Sequence, residues 1–186
     1  MAYLAKRRAT YEDVLAAPEH MIAEIIDGEL VTQPRPAAPH ARASTALGAK
    51  LYGMFDDGPG APGGWILLFE PEIHLHEDVL VPDLAGWRRE RMPEPPAGAA
   101  FEIAPDWACE VLSQSTAATD RFRKMRVYAR ELVGFAWLVD PVGHTFEAYR
   151  LEGGRWLQLG AWDGDVKVRA EPFESLELDL ARIWAW

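Results

Sequence analysis

The segment DWACEVL, residues 106–112, constrains the fold more tightly than any other. Side chains alternate across a strand, so Trp107, Cys109 and Val111 share one face and Ala108, Glu110 and Leu112 the other. Both faces are apolar apart from Glu110. A strand apolar on both sides is a central strand covered above and below, and covering layers point to an α/β arrangement. Glu110 is the anomaly. A carboxylate buried without a partner is costly, so it must meet a cation, a hydrogen-bond donor or a metal.

VLVPDLAGW, residues 79–87, repeats the pattern. Read as one strand, it places Val79, Val81, Asp83, Ala85 and Trp87 on one face, again with a carboxylate among apolar neighbours. Pro82 has no N–H, which predicts an edge or a local distortion there. If the two strands are neighbours, Asp83 and Glu110 meet. Paired carboxylate oxygens suit a hard cation such as Mg²⁺, which can activate water and offset charge growing on a phosphoryl group.

The other segments fill in a mixed chain. Thr10 and Asp13 resemble a capping box that opens a helix over 11–17, ending at Pro18. MIAEIIDGELVTQ reads as two strands around Asp27-Gly28, a pair suited to a tight hairpin turn. A helix is expected over 40–55, a loop over 56–64, strands at 65–69 and 72–76, and a polar, proline-rich connection over 88–105. Thr116 can cap a helix over 117–131. A strand at 134–140, a hairpin turning at Glu152-Gly153-Gly154 and a short helix around 179–184 complete the chain.

The helix over 117–131 has two readings. At about 100° per residue, Phe122, Met125, Ala129 and Leu132 form an apolar stripe, with Arg123, Arg126 and Arg130 roughly opposite. Lys124 lies at the margin, near Tyr128 and four residues after Asp120. It either makes a surface pair with Asp120 or reaches over the sheet edge to the carboxylates. The basic run itself, Arg121 to Arg130, is either a solvated face or a local attraction for a polyanion. The net charge of −10 argues against non-specific nucleic-acid binding by the chain as a whole.

The 186 residues suit one domain, 1–186, with eight tryptophans to supply its core. Cys109 is the only cysteine. It can form no internal disulfide, which fits a reducing cytoplasm. No apolar run approaches a membrane span, and the first residues lack the apolar stretch of a signal peptide. His74 and His76 would share a strand face, either as a metal pair or as part of a half-exposed strand. Ser113 and Ser115 lack the surroundings of a serine nucleophile and read as turn or cap residues.

Taken in order, these segments resemble the Putative restriction endonuclease family of the PD-(D/E)XK nuclease superfamily. The resemblance rests on TYED at 10–13, EIIDGE at 24–29, His40, VPDL at 81–84, CEVLSQST at 109–116, DRFRKMRVY at 120–128 and WLVDP at 137–141. It implies a restriction-endonuclease-like core, a mixed sheet flanked by helices, with an N-terminal hairpin and C-terminal strands added. It implies Asp83 and Glu110 as ligands of Mg²⁺ or Mn²⁺, with Glu24 as a third acidic member. The superfamily motif sets a lysine two residues after the second acid. That position here is Leu112, and Lys124 on the next helix is the implied replacement, oriented by Asp120. Arg121, Arg123 and Arg126 are the implied phosphate contacts, His40 and Tyr128 supporting residues, DNA the partner, and a homodimer the assembly. The activity implied is Mg²⁺-dependent DNA hydrolysis. The alternative is an inactive nuclease-fold protein that binds nucleic acid or a protein partner, which the misplaced lysine and the acidity favour.

Overall fold

The computed structural model describes residues 7–56, 63–94 and 96–185. The loop expected at 56–64 falls mostly outside them. The architecture is the expected one: a mixed sheet flanked by helices, preceded by a hairpin and followed by further strands. The chain opens with α1 (Tyr11–Leu15), β1 (Met21–Ile26), β2 (Glu29–Pro34) and α2 (Ala38–Leu51). Strands β3 (Trp65–Phe69), β4 (Ile73–Leu75), β5 (Asp78–Leu80), β6 (Leu84–Arg88) and β7 (Trp107–Val111) follow. A wide π-helical turn (Thr119–Lys124) leads into α3 (Met125–Arg130). The chain then forms β8 (Phe135–Asp140), β9 (Thr145–Glu152), β10 (Arg155–Asp163), the short β11 (Lys167–Val168) and β12 (Leu178–Asp179), and α4 (Ala181–Trp184).

Six strands form the main sheet in the order β10-β9-β8-β7-β6-β3, and four form a second sheet in the order β2-β1-β5-β4. In the main sheet β7 and β8 run parallel, and the other neighbours are antiparallel. Strand β7 is central, and all five of its residues are buried, as its two apolar faces require. Trp107, Cys109 and Val111 pack with Ala43, Leu47 and Leu51 of α2 and with Phe173 and Ile183 near the C-terminus. Ala108 and Leu112 pack on the other side with Met125, Val127 and Tyr128 of α3 and with Ile26 and Leu80 of the second sheet. One layer over β7 is therefore helix and the other is helix plus sheet. Trp107, Trp137, Phe146 and Phe173 form a cluster of edge-to-face contacts with centroids 4.9 to 5.5 Å apart, each worth about 0.5–1.5 kcal/mol beyond its buried area.

The hairpin β1–β2 turns at Asp27 and Gly28, both at positive φ (55° and 77°), the tight turn that Asp-Gly predicts. Two expectations fail for identifiable reasons. VLVPDLAGW is not one strand. Its first part is β5 in the second sheet and its last part β6 in the main sheet, with Val81, Pro82 and Asp83 between. Pro82 cannot donate to a ladder, and the chain changes sheets there. The apolar stripe expected on 117–131 holds at Met125, which is buried, but fails at its two ends. Phe122 and Leu132 are 72% and 75% exposed, whereas Asp120 and Lys124 are buried beside Val127 and Tyr128. The π-helical turn alters the angular phase, and the face turned inward carries charges that a hydrophobic count passes over. Among the described residues no helix is long and apolar enough to cross a membrane.

Candidate functional site

Four segments converge where the two sheets meet. Pairing of Leu84 with Cys109 and Ala85 with Ala108, extended by one residue, sets Asp83 across from Glu110. Both then face the layer that holds α3. Strand β1 brings Glu24 from the second sheet, and the π-helical turn brings Asp120 and Lys124. Asp83 is part of the sheet-switching segment: its Oδ2 accepts the Val111 N–H at 2.7 Å. The neighbouring peptide of Val81 is freed by the same switch. Its N–H donates to Glu24 Oε1 at 2.8 Å, and its carbonyl accepts from Lys124 Nζ at 3.2 Å.

Lys124 is the hub. Its side chain is 1% exposed, and Nζ stands 2.9 Å from Glu24 Oε1, 3.2 Å from Glu110 Oε2 and 3.8 Å from Asp120 Oδ1. Tyr128, one helical turn on, is buried and donates its hydroxyl to Glu110 Oε1. His40, from the first turn of α2, places Nε2 3.1 Å from Asp83 Oδ1. Glu24 Oε2 and His40 Nδ1 are buried with no hydrogen-bond partner among the described residues. Asp83, Glu110, Asp120 and His40 line a cleft together with Arg35, Ser113, Ser115 and Thr116.

Four carboxylates surround one lysine, and proton affinities respond. Burial pushes the Glu110 carboxyl well above its usual range; the Lys124 charge opposes this, and Asp120, Asp83 and Glu24 add to it. Burial likewise raises Asp120 to about 6. Burial lowers the proton affinity of Lys124, but the carboxylates, Glu110 foremost, outweigh it and hold the ammonium well above the usual lysine value. Burial beside Glu110 raises the Tyr128 phenol well above its ordinary value. For His40, burial disfavours the cation, and the hydrogen bond to Asp83 together with the charges of Asp83, Asp120 and Glu70 more than offsets this, a net upward shift. The result is a charged ammonium in a pocket with excess negative charge, a chemistry that accommodates further positive charge.

The three arginines expected to meet phosphate are engaged elsewhere. Arg121 makes two hydrogen bonds to Glu147. Arg123 meets the Ile26 carbonyl and Glu29, and Arg126 meets Asp27. They fasten the helix to the hairpin and to β9, and none lines the cleft. His74 and His76 do not form a pair. His74 bonds Glu72, while His76 sits in a turn at φ 58° and faces Glu131. Among the described residues no group of three His, Cys, Asp and Glu side chains stands at metal-ligand spacing. Ser113 and Thr116 bond each other in the turn before the helix, as read from sequence. The Val81 peptide was not foreseen, although Pro82 beside it is the signal that its backbone leaves the ladder. Asp78 was also missed; it is buried, accepts the Asp27 N–H at 2.6 Å and pairs with Arg130.

A family model described as "Uma2: Putative restriction endonuclease" matches residues 9–181. The chain belongs to this family. No curated protein matches it. Among solved structures, the crystal structure of a putative nuclease belonging to DUF820, from Anabaena variabilis ATCC 29413, superposes with a TM-score of 0.73. The match covers 95% of this chain and 97% of that one at 23% sequence identity. At that identity the likeness shows a shared fold. The fold of this Uma2 family member is thus that of a solved neighbour over nearly its whole length.

Proposed function

We propose that this Uma2 family member is a nuclease that hydrolyses phosphodiester bonds in DNA with Mg²⁺ or Mn²⁺. The observation that carries the reading is the convergence of Lys124 on Glu110 and Glu24 beneath a cleft that Asp83 also lines. The lysine absent at position 112 is supplied from the helix, 14 residues after Glu110. The donor chemistry, though not the spacing of the side chains as they stand, suits a hard divalent cation: carboxylate oxygens, one of them, Glu24 Oε2, buried without a partner among the described residues. Asp83 and Glu110 would hold the ion, with Glu24 beside them. A divalent cation supplies Lewis-acid charge against the phosphoryl oxygens.

The chain's own groups do the rest. The Lys124 ammonium orients the attacking water and meets negative charge developing on the phosphate. Asp120 and Glu24 hold that ammonium in place. Tyr128 fixes one oxygen of Glu110, and His40 fixes one oxygen of Asp83. Arg121, Arg123 and Arg126 become phosphate contacts only by exchanging their carboxylate partners. We take residues 1–186 as one domain, acting in a reducing cytoplasm as a homodimer.

A second reading is favoured by one observation. Both oxygens of Glu110 and both of Asp83 already have protein partners, as in a fold that keeps the cluster for structure and binds without cutting. Two measurements separate the readings. Calorimetric titration with Mg²⁺ and Mn²⁺ is expected to give binding that Asp83→Ala and Glu110→Ala abolish. Incubation of supercoiled and linear DNA with either ion is expected to give nicking that the same substitutions remove. Equal cleavage by wild type and both variants, or no metal uptake by the wild type, refutes the nuclease reading.

A further inference from the structure

Most of the cations in this acidic chain are already neutralised. Among the described residues, arginine and lysine side chains have a carboxylate within 4.0 Å with four exceptions: Arg42, Lys50, Arg88 and Arg155. Arg88 stacks on the Trp65 ring. Arg42 and Lys50 lie in one groove between α2 and α4, together with Arg182 and a floor of Ala46, Ala49, Ile183 and Ala185. Arg42 Nε donates to the Ala185 carbonyl at 2.8 Å, which anchors the guanidinium without consuming its charge. Arg182 is largely exposed and only loosely paired, 3.5 Å from Asp179. Among the described residues no carboxylate lines this groove.

The groove stands in a definite relation to the carboxylate cleft. His40 and Ala37 line the cleft, whereas Arg42 lies two residues along the same helix, about 200° around it. The two features therefore flank α2. A helix is about 10–12 Å across, close to the width of a DNA major groove, about 12 Å. Between the flanks, the outward residues Ala41 and Thr45 are exposed and small, so neither is bulky enough to keep a nucleic-acid backbone away from the helix.

We propose that the α2/α4 groove is a phosphate-backbone contact for a nucleic-acid duplex that straddles α2, with one strand held by Arg42, Lys50 and Arg182 while the other is presented to the carboxylate cleft. This rests on the nuclease reading for the role of the cleft but not for the binding itself. It also accounts for how a chain of net charge −10 would attract a polyanion: the groove gathers two cations without a carboxylate partner and one loosely paired, while those of the Arg121–Arg130 run are neutralised.

The test is fluorescence anisotropy with a labelled DNA duplex of about 20 base pairs, in chelator so that nothing is cut, over a range of salt. Wild type is compared with Lys50→Glu combined with Arg182→Glu, both exposed positions, and with the milder Lys50→Gln and Arg182→Gln pair. The charge reversal is expected to weaken binding at least tenfold. It should lower the slope of log affinity against log salt by about 2, near 0.9 for each phosphate no longer neutralised. The glutamine pair should weaken binding less and flatten the slope by a similar amount, with melting temperatures near wild type in both. Wild-type protein that fails to bind the duplex, or variants that keep both affinity and slope, overturn the proposal. An active cleft with an inert groove leaves the nuclease reading standing. A binding groove in a protein that never cleaves does the reverse.

Discussion

Replacing Lys124 by methionine is the perturbation whose consequence follows most directly from the geometry. Methionine fills much the same volume, so packing changes little, but Glu24, Glu110 and Asp120 lose the ammonium that stands 2.9 to 3.8 Å from each. Removing one partner from a buried ionic cluster costs about 3–5 kcal/mol. The cost must also depend on pH. Burial already raises Glu110 and Asp120, and in both the Lys124 charge pulls the other way; without it both rise further. A carboxyl whose folded pKa is raised binds its proton more tightly when folded. It therefore costs stability above the folded pKa, and that cost disappears as pH falls through it towards the unfolded value. For Asp120 the wild-type window runs from about 6 down to 3.8. Deleting the lysine moves its upper limit higher, each pKa unit adding about 1.4 kcal/mol to the penalty at alkaline pH. The measurement is urea unfolding of wild type and Lys124→Met at pH 8 and pH 5.5. The variant is expected to lose about 3–5 kcal/mol at pH 8 and at least about 1 kcal/mol less than that at pH 5.5. In this size class the larger loss lowers the melting temperature by roughly 6–20 °C. A loss below about 1 kcal/mol, the range of an exposed pair, or one equal at the two pH values, refutes a buried lysine compensating buried carboxylates.

Tyr128→Phe removes the hydroxyl from Glu110 and nothing else; a hydrogen bond to a charged group in the interior predicts a loss of about 1.5–3 kcal/mol, read by the same urea titration, and no loss shows that the bond does not hold Glu110. Gly86→Ala sets a methyl 2.8 Å from the Leu67 side chain and 3.1 to 3.2 Å from the rings of Trp65 and Trp107, all buried, so it should cost about 1–3 kcal/mol. Gly48→Ala meets the far end of the Phe69 ring and, at 3.1 Å, a methyl of the buried Leu84, but Phe69 is half exposed, so its ring has solvent to turn into, and alanine is favoured over glycine in a helix by about 1 kcal/mol. Thermal melts should rank Gly86→Ala well below Gly48→Ala, and the opposite ranking refutes the packing argument.

Strand β7 was legible because both alternating faces of 107–112 are apolar, a pattern only a doubly covered strand satisfies. The Asp27-Gly28 hairpin was legible because its turn needs two residues that tolerate positive φ. Asp83 and Glu110 stood out as carboxylates where an apolar residue was due. The buried side of the helix carrying Lys124 was not legible in the same way. Periodicity assigns charged residues outward, and this helix turns Asp120 and Lys124 inward, a choice stable only because Glu24 and Glu110 arrive from distant segments. The π-helical turn, which shifts the angular phase of residues 119–124, has no short-range signature. Nor did the sequence reveal that Arg121, Arg123 and Arg126 find carboxylates in the hairpin and β9, since those pairings depend on how the layers stack.

The exchange of sheets at Val81-Pro82-Asp83 bears on when the cluster can exist at all. Its members come from the β1 hairpin, the linking tripeptide, the central strand and the helix after it, from Glu24 to Lys124 along the chain. Each short-lived subset lacks something: the hairpin alone leaves Glu24 in water, and the strands without the helix bury Glu110 with no cation. Contacts so far apart in sequence close late, and during synthesis the last indispensable member, Lys124, emerges only after all four carboxylates. A growing chain that has not yet reached residue 124 cannot complete the cluster. If the cleft cuts DNA, chains that end before Lys124 lack the cation that the buried carboxylates require.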